Sequence, residues 1–273
     1  MASALVTRIH EIYDSIVKLE SLKPSEHVNT LLTHLVKLCI PPSNIIIEDL
    51  SQEIQDMRMN LIVLSGHAEG LLELEFATFL SKTPHPLKNL DLFPYYGNYV
   101  KLAGLEYKIL SEHGMVQPKK VAFVGSGPLP LTSIVMATLH MKSTHFDNFD
   151  IDEAANYVAR QIIASDDEFE KRMKFVTRDI MDVTEELGEY DCIFLAALVG
   201  ICKEEKIKIV GHIRKYMKGG GLLLVRSANG ARAFLYPVVK ELDLPGFELL
   251  SIFHPTDEVI NSVVLVRKPI FHD

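Results

Sequence analysis

KKVAFVGSGPLPLT, from Lys119 to Thr132, is a short apolar strand that runs into Gly125-Ser126-Gly127 and then into a helix. Glycine lets the backbone turn sharply and approach a ligand closely. In sheets wound from βα units, ligands sit at the carboxyl ends of the strands, where this turn falls. The next strand, HFDNFDID, ends in Asp150 and Asp152. An acid about 20–25 residues past the glycines is placed to accept hydrogen bonds from a ribose diol. Asp150 lies at the strand end and is the better candidate. Asp179, after the third strand in TRDIMD, is a candidate partner for the adenine exocyclic amine. Pro130 stands where a dinucleotide fingerprint has its third glycine, so no pyrophosphate site is complete. A lone GxG is often only a tight turn, and an Asp at a strand end is often a helix cap. Strand, GxG, helix, strand and acid in this order together favour an adenosine site: Gly125, Ser126, Gly127, Asp150 and Asp179.

Outward from this stretch the chain divides in two. After Pro118, apolar runs at Val121–Val124, His145–Phe149, Phe175–Thr177, Cys192–Ala196, Leu222–Val225, Phe247–Phe253 and Ser262–Val266 read as strands. Helical stretches separate the first five, which implies a parallel sheet with right-handed crossovers. The last two are joined by His254–Asn261, too short for a crossover helix, and should pair antiparallel. Five βα units plus a terminal hairpin is the plan of a class I methyltransferase-type Rossmann fold. Residues 119–273 are expected to form this part.

Residues 1–118 read as an all-α part. Leu5, Ile9, Ile12, Ile16 and Leu19 make one stripe of a helix. Ser25 is the expected cap of a second helix, which Pro41-Pro42 stops. A third starts near Asp49 or Ser51, with a kink expected at Gly66, and continues to about Leu80. A fourth runs from about Pro94 to His113 and ends at Gly114. On the third helix Glu69 and Glu73 lie four apart on one face, with Glu75 nearby. Like charges at that spacing destabilise a helix slightly, so either solvent or a cationic ligand must compensate. A solvated face is the ordinary reading. On the fourth helix Tyr95, Tyr99, Leu102 and Glu106 share a face. Tyrosines so placed usually pack in a core with the hydroxyl reaching a partner. In VRSANGARAFLYP, Arg226 and Arg232 have the fork geometry to hold carboxylates, or else form surface ion pairs.

The chain has 273 residues, is 48% hydrophobic and carries a formal net charge of −8. That allows one large domain or two smaller ones and argues against a nucleic-acid backbone as partner. The N-terminal stretch lacks a basic region followed by an apolar block, and no long apolar run suggests a membrane span. Cys39, Cys192 and Cys202 form neither a disulfide framework nor a zinc site, so a reducing, cytoplasmic setting is expected and no bound metal.

Taken together, LESLKPS (19–25), DMRMNLIVLSGHAEGLLE (56–73), FPYYGNYVKL (93–102), VAFVGSGPLPLTSIV (121–135), FDIDEAAN (149–156), FLAALVG (194–200), RSANGARAFLYP (226–237) and HPTDEVINSVV (254–264) resemble the plant nicotianamine synthases. The blocks run through nearly the whole chain in order. His67 stands where a Glu is expected, and the chain stops soon after its last strand, short of a longer variable tail. The resemblance implies a transferase of aminocarboxypropyl groups. Three S-adenosylmethionine molecules, substrates rather than cofactors, are condensed to nicotianamine with release of three methylthioadenosines, and the product chelates iron, copper and zinc. The residues suit that chemistry. An amine that attacks the carbon next to a sulfonium must first lose a proton, which a carboxylate can take. Glu73 or Glu69 is the expected base, Tyr95 or Tyr99 the orienting group, and Arg226 and Arg232 the carboxylate anchors. The rival readings are a small-molecule S-adenosylmethionine-dependent methyltransferase, which would release S-adenosylhomocysteine, and a non-catalytic adaptor.

Overall fold

The structure, a computed structural model, describes residues 2–270. Met1 and residues 271–273, the outer limits of the two expected parts, lie outside the described residues. Four helices come first: α1 (Ala2–Val17), α2 (Glu26–Cys39), α3 (Gln52–Ser81) and α4 (Tyr96–Glu112). Their ends follow from local chemistry. Ser25 Oγ accepts the amide of Val28 at 3.2 Å and Ser51 Oγ that of Ile54 at 3.4 Å, each satisfying a donor that the first helical turn leaves free. Past α4 the chain turns at Gly114, with φ +83°, and the amide of Met115 closes back on the carbonyl of Leu110 at 2.9 Å. That left-handed position favours glycine.

The second part alternates as expected. It runs β1 (Lys120–Val124), α5 (Leu131–Val135, followed by a π turn at Met136–His140), β2 (His145–Asp150), α6 (Glu153–Ile163), α7 (Asp167–Arg172), β3 (Met173–Thr177), β4 (Cys192–Leu195), α8 (Lys203–Tyr216), β5 (Leu222–Ser227), β6 (Glu248–Phe253) and β7 (Ser262–Arg267). The seven strands form one sheet in the order β3-β2-β1-β4-β5-β7-β6. The first five are parallel, and β7 is antiparallel to both β5 and β6. This is the class I methyltransferase-like order. The winding reverses between β1 and β4, and that switch point leaves a crevice above the strand ends.

Alternation along the strands builds two cores. Val121, Phe123, Phe194 and Leu224 face α4, α5 and α6, whereas Ala122, Val124, Leu195 and Val225 face α8 and its neighbours. Central strands covered on both faces read as apolar runs, as β4 does throughout and β1 does after Lys120. A third core lies among the helices. Ile9, Ile12 and Ile16 of α1 pack with Leu35 of α2 and Leu61 of α3, and truncating one such residue to Ala costs about 2–5 kcal/mol. Ala231, Phe234 and Leu235, which follow β5, belong to this same core. The segment is pinned there: Ser43 Oγ accepts the amide of Ala231 at 2.7 Å, and a Cβ on Gly230, at φ +59°, would lie 2.6 Å from the carbonyl oxygen of Ser43.

α3 runs as one continuous helix through Gly66. The residue answers a different need. A Cβ there would lie 2.9 Å from Leu198 Cδ1, and the missing side chain lets α3 approach the loop after β4.

Candidate active site

A cavity of about 630 Å³ opens at the carboxyl ends of β1, β2, β4 and β5, roofed by α3 and α4. At its sheet side, Gly125 and Gly127 take φ of +81° and +64°. The amides of Gly125 and Ser126 donate to the carbonyl of Phe149 at 2.8 and 3.2 Å, which fastens the turn to the end of β2. Asp150 completes it: Oδ2 accepts the amide of Gly127 at 2.8 Å and Oδ1 that of Asp152 at 3.0 Å. Each oxygen keeps a lone pair for a further donor. Ser126 Oγ is buried on this cavity without a partner. Asp179 also lines the cavity and at the same time caps the turn at Ile180–Asp182, its Oδ1 accepting the amide of Met181 at 2.9 Å. Asp152 is a helix cap alone, bonded to the amide of Ala154.

The far wall of the cavity is the loop Ala196–Gly200. It is gathered around one cation. Lys206, buried at the start of α8, donates to the carbonyls of Ala196 at 3.4 Å, Ala197 at 2.9 Å and Val199. Burial pulls its ammonium down to about 7. Val199 in turn lies against Gly125, where a Cβ would collide with its methyl group.

The roof carries the acids. Glu69 and Glu73 of α3 line the cavity, whereas Glu75 and His67 are exposed. Tyr99 OH donates to Glu73 Oε1 at 2.7 Å, and Tyr236 OH to the Glu69 carboxylate at 2.8 and 3.0 Å. Burial pushes the Glu73 carboxyl up to about 8, helped by the charge of Glu69 four residues away. Burial raises Glu69 as well. The two tyrosines are held well above the ordinary phenol value by burial and by these acids, so both act as neutral donors. The face read as solvated is therefore a cavity wall whose two carboxyls share the cost of being charged.

The two arginines part company. Arg226 reaches the cavity from the end of β5, where Nε and Nη2 bond Glu106 at 2.7 and 3.1 Å and Nη2 also reaches Thr132 Oγ1 at 2.6 Å, while Nη1 has no protein partner among the described residues. Burial works against its charge and Glu106 more than offsets that. Glu106, fully buried in this pair, is no free base. Arg232 is not at the cavity. It is buried and donates to the carbonyls of Pro255 and Asp257, so it holds the β6–β7 loop and no substrate carboxylate. Tyr95 packs edge-on against Phe93, with ring centroids 5.7 Å apart, and lines a separate cavity of about 80 Å³ behind Tyr99 and Tyr236. Of the expected catalytic set, Glu69, Glu73 and Tyr99 line the large cavity, and Tyr95 lines the small one, which Glu69 and Tyr99 also border. Tyr236 and Lys206 were not anticipated. Tyr236 lies within the quoted RAFLYP run, but nothing in the spacing points it at α3.

Among the described residues, no group of three or more His, Cys, Asp or Glu is gathered to hold a metal ion, and no helix is long and apolar enough to cross a membrane.

Residues 1–272 match the family model described as nicotianamine synthase protein. The chain is 54% identical to nicotianamine synthase of Solanum lycopersicum over 267 residues, covering 98% of this chain and 84% of that one. It is 51% identical to nicotianamine synthase 1 of Arabidopsis thaliana over 268 residues, covering 97% and 84%. Among solved structures, MtNAS in complex with MTA and tNA superposes with a TM-score of 0.80 at 22% identity over 96% of both chains. A mutant of MtNAS in complex with S-adenosylmethionine gives 0.80 at 22% identity over 97% of this chain and 98% of that one. At that identity the likeness extends to the fold.

Proposed function

The chain belongs to the nicotianamine synthase family, and we propose that the cavity above the sheet is where it makes nicotianamine from S-adenosylmethionine. The reaction joins three aminobutyrate groups and releases three methylthioadenosines. Three carbon–sulfur bonds break, so three carbon–nitrogen bonds form: two join the units and the third closes the azetidine ring. In each step an amine lone pair attacks the methylene carbon bonded to the sulfonium. The carbon–sulfur electron pair stays with sulfur, and methylthioadenosine leaves as a neutral thioether.

The observation that carries this reading is the placement of Glu73. It lines the cavity directly above the glycine turn, its carboxyl is raised to about 8, and one oxygen is oriented by Tyr99. The attacking nitrogen enters as an ammonium and must lose a proton before it has a lone pair to give. A carboxyl with a raised pKa takes that proton and releases it again near neutral pH. Glu69, oriented by Tyr236, lies on the same wall and can hold a second ammonium or the sulfonium. Gly125, Ser126, Gly127, Asp150 and Asp179 take the adenosine end. Arg226 serves by keeping Thr132 and Glu106 in place and by lending positive potential to the same cavity.

The two-part organisation, 1–118 and 119–273, then has a chemical sense: the helical part brings the acids and the sheet part the nucleoside site. The setting is cytoplasmic. The product is a chelator of iron, copper and zinc, so the activity supports metal handling. The test is mass spectrometry after incubation with S-adenosylmethionine and no other acceptor. Methylthioadenosine and nicotianamine are expected. S-adenosylhomocysteine as main product would establish a methyltransferase instead.

A further inference from the structure

Asn261 ends the loop between β6 and β7 and lines both the large cavity and the small one behind it. It is 8% exposed, and its side-chain Nδ2 has no hydrogen-bond partner among the described residues. Buried polar groups left unpaired are rare, and one at a cavity wall is available to a ligand atom. The loop leading to it is held in place. Arg232 holds its backbone at Pro255 and Asp257, and the Asn98 amide donates to the carbonyl of Glu258 at 2.7 Å. Lys101 pairs with the Glu258 carboxylate, and Asp257 Oδ1 accepts the amide of Val259 at 3.1 Å.

The other polar groups indicate which ligand atom is missing. Glu69 and Glu73 suit ammonium groups. Every aminobutyrate unit also carries an α-carboxylate, which needs donors. Several of those nearby are spent: the hydroxyl of Tyr99 on Glu73, that of Tyr236 on Glu69, one N–H of Asn98 on Glu258, and Nε and Nη2 of Arg226 on Glu106. Ser126, at the glycine turn, and Nη1 of Arg226 keep free donors on the large cavity, and Asn261 keeps one where the two cavities meet. We propose that Asn261 is a specificity-determining residue whose amide hydrogen-bonds an α-carboxylate of the growing acceptor at the junction of the two cavities. It thereby sets whether the acceptor is held for another transfer. A neutral amide does this without burying a further cation, and its oxygen can accept from the ammonium of the same unit. The small cavity, at about 80 Å³, admits an aminobutyrate arm but no second nucleoside.

The inference rests on the reaction proposed above, and the full chain tests both separately. Wild-type protein that yields S-adenosylhomocysteine rather than methylthioadenosine would remove that reaction, whatever the variants do. With methylthioadenosine established, Asn261→Leu is expected to bind S-adenosylmethionine within a few-fold of wild type while the ratio of nicotianamine to shorter aminobutyrate products falls about tenfold or more, the worth of one hydrogen bond to a charged group. Asn261→Asp sets like charge against the carboxylate and should fall further. Asn261→Gln keeps the donor and should recover part of the ratio. Melting curves verify folding, and Asn261→Ser, with the same expectation, replaces the Leu variant should that one not fold. An unchanged product ratio in a folded Leu or Ser variant overturns the proposal. So does an equal loss of all products together with weakened S-adenosylmethionine binding, which would place Asn261 in the donor site.

Discussion

A Cβ on Gly127 would lie 3.2 Å from Glu73 Oε2, so the glycine turn of the sheet and the acid of the helical part are in direct apposition. Gly127→Ala adds that carbon and also pays for a left-handed backbone at φ +64°, a strain of about 1–2 kcal/mol for an L side chain. The expected result is a joint loss of S-adenosylmethionine affinity, by calorimetry, and of turnover. Gly70→Ala is the control: it lines the same cavity with open space at its Cβ and should change turnover little.

Glu73→Gln keeps size and most hydrogen bonding but removes basicity. Turnover should fall by roughly 10²–10⁴-fold, the usual contribution of a general base, with substrate binding much less affected. Glu69→Gln should weaken binding more than the chemical step if Glu69 holds a ligand cation as proposed. Steady-state rates with melting curves separate the two, and wild-type turnover in both would return the base to an unidentified group.

The pH profile has a fixed sign. Burial first, and Glu69 second, raise the Glu73 carboxyl to about 8, and only the ionised form accepts a proton. kcat/KM should therefore rise with pH through about 8, the two carboxyls titrating as a pair. Stability moves the other way. The folded state keeps a proton that the unfolded chain releases near 4.5, so this contribution is fully present below 4.5 and is lost as pH rises through about 8. Thermal melting should decline across that window in wild type and decline less in Glu73→Gln.

Arg226→Met strands the Glu106 carboxylate in the core, which should cost about 3–5 kcal/mol in chemical denaturation. The double variant Arg226→Met, Glu106→Leu removes both charges and should regain most of that. If the double variant recovers stability but not S-adenosylmethionine affinity, the potential of Arg226 matters to the ligand as well as to the fold.

The sheet was legible because each strand is a short apolar run set between helical stretches, and the helix starts because Ser25 and Ser51 stand where free amides need acceptors. Glu69 and Glu73 were legible as a pair, since a four-residue spacing on a helix is a local fact. Their surroundings were not. Tyr236 meets Glu69 only because the chain after β5 returns to the helices, and no periodicity encodes that return. Arg232 carries the same local signal as Arg226, a fork near a strand end, and only the tertiary path sends one to the cavity and the other to a loop. Lys206 looks like any lysine in the first turn of a helix until the loop after β4 closes over it. Gly66 shows the same limit from the other side: a small residue in a helix was read as a local weakness, when the need for it comes from Leu198 across the interface.

Residues 231–235 are sheet-half by sequence and helix-half by packing, since Phe234 and Leu235 share a core with Ile9, Leu35 and Leu61. The two halves are therefore interlocked, and neither is a detachable module. Severing the chain after Pro118 would leave one fragment with a hole where Phe234 belongs and the other with an exposed greasy finger. Calorimetry of the intact chain should accordingly give a single melting transition. An exchange of helical parts between relatives would succeed only if the 230–236 segment travelled with them.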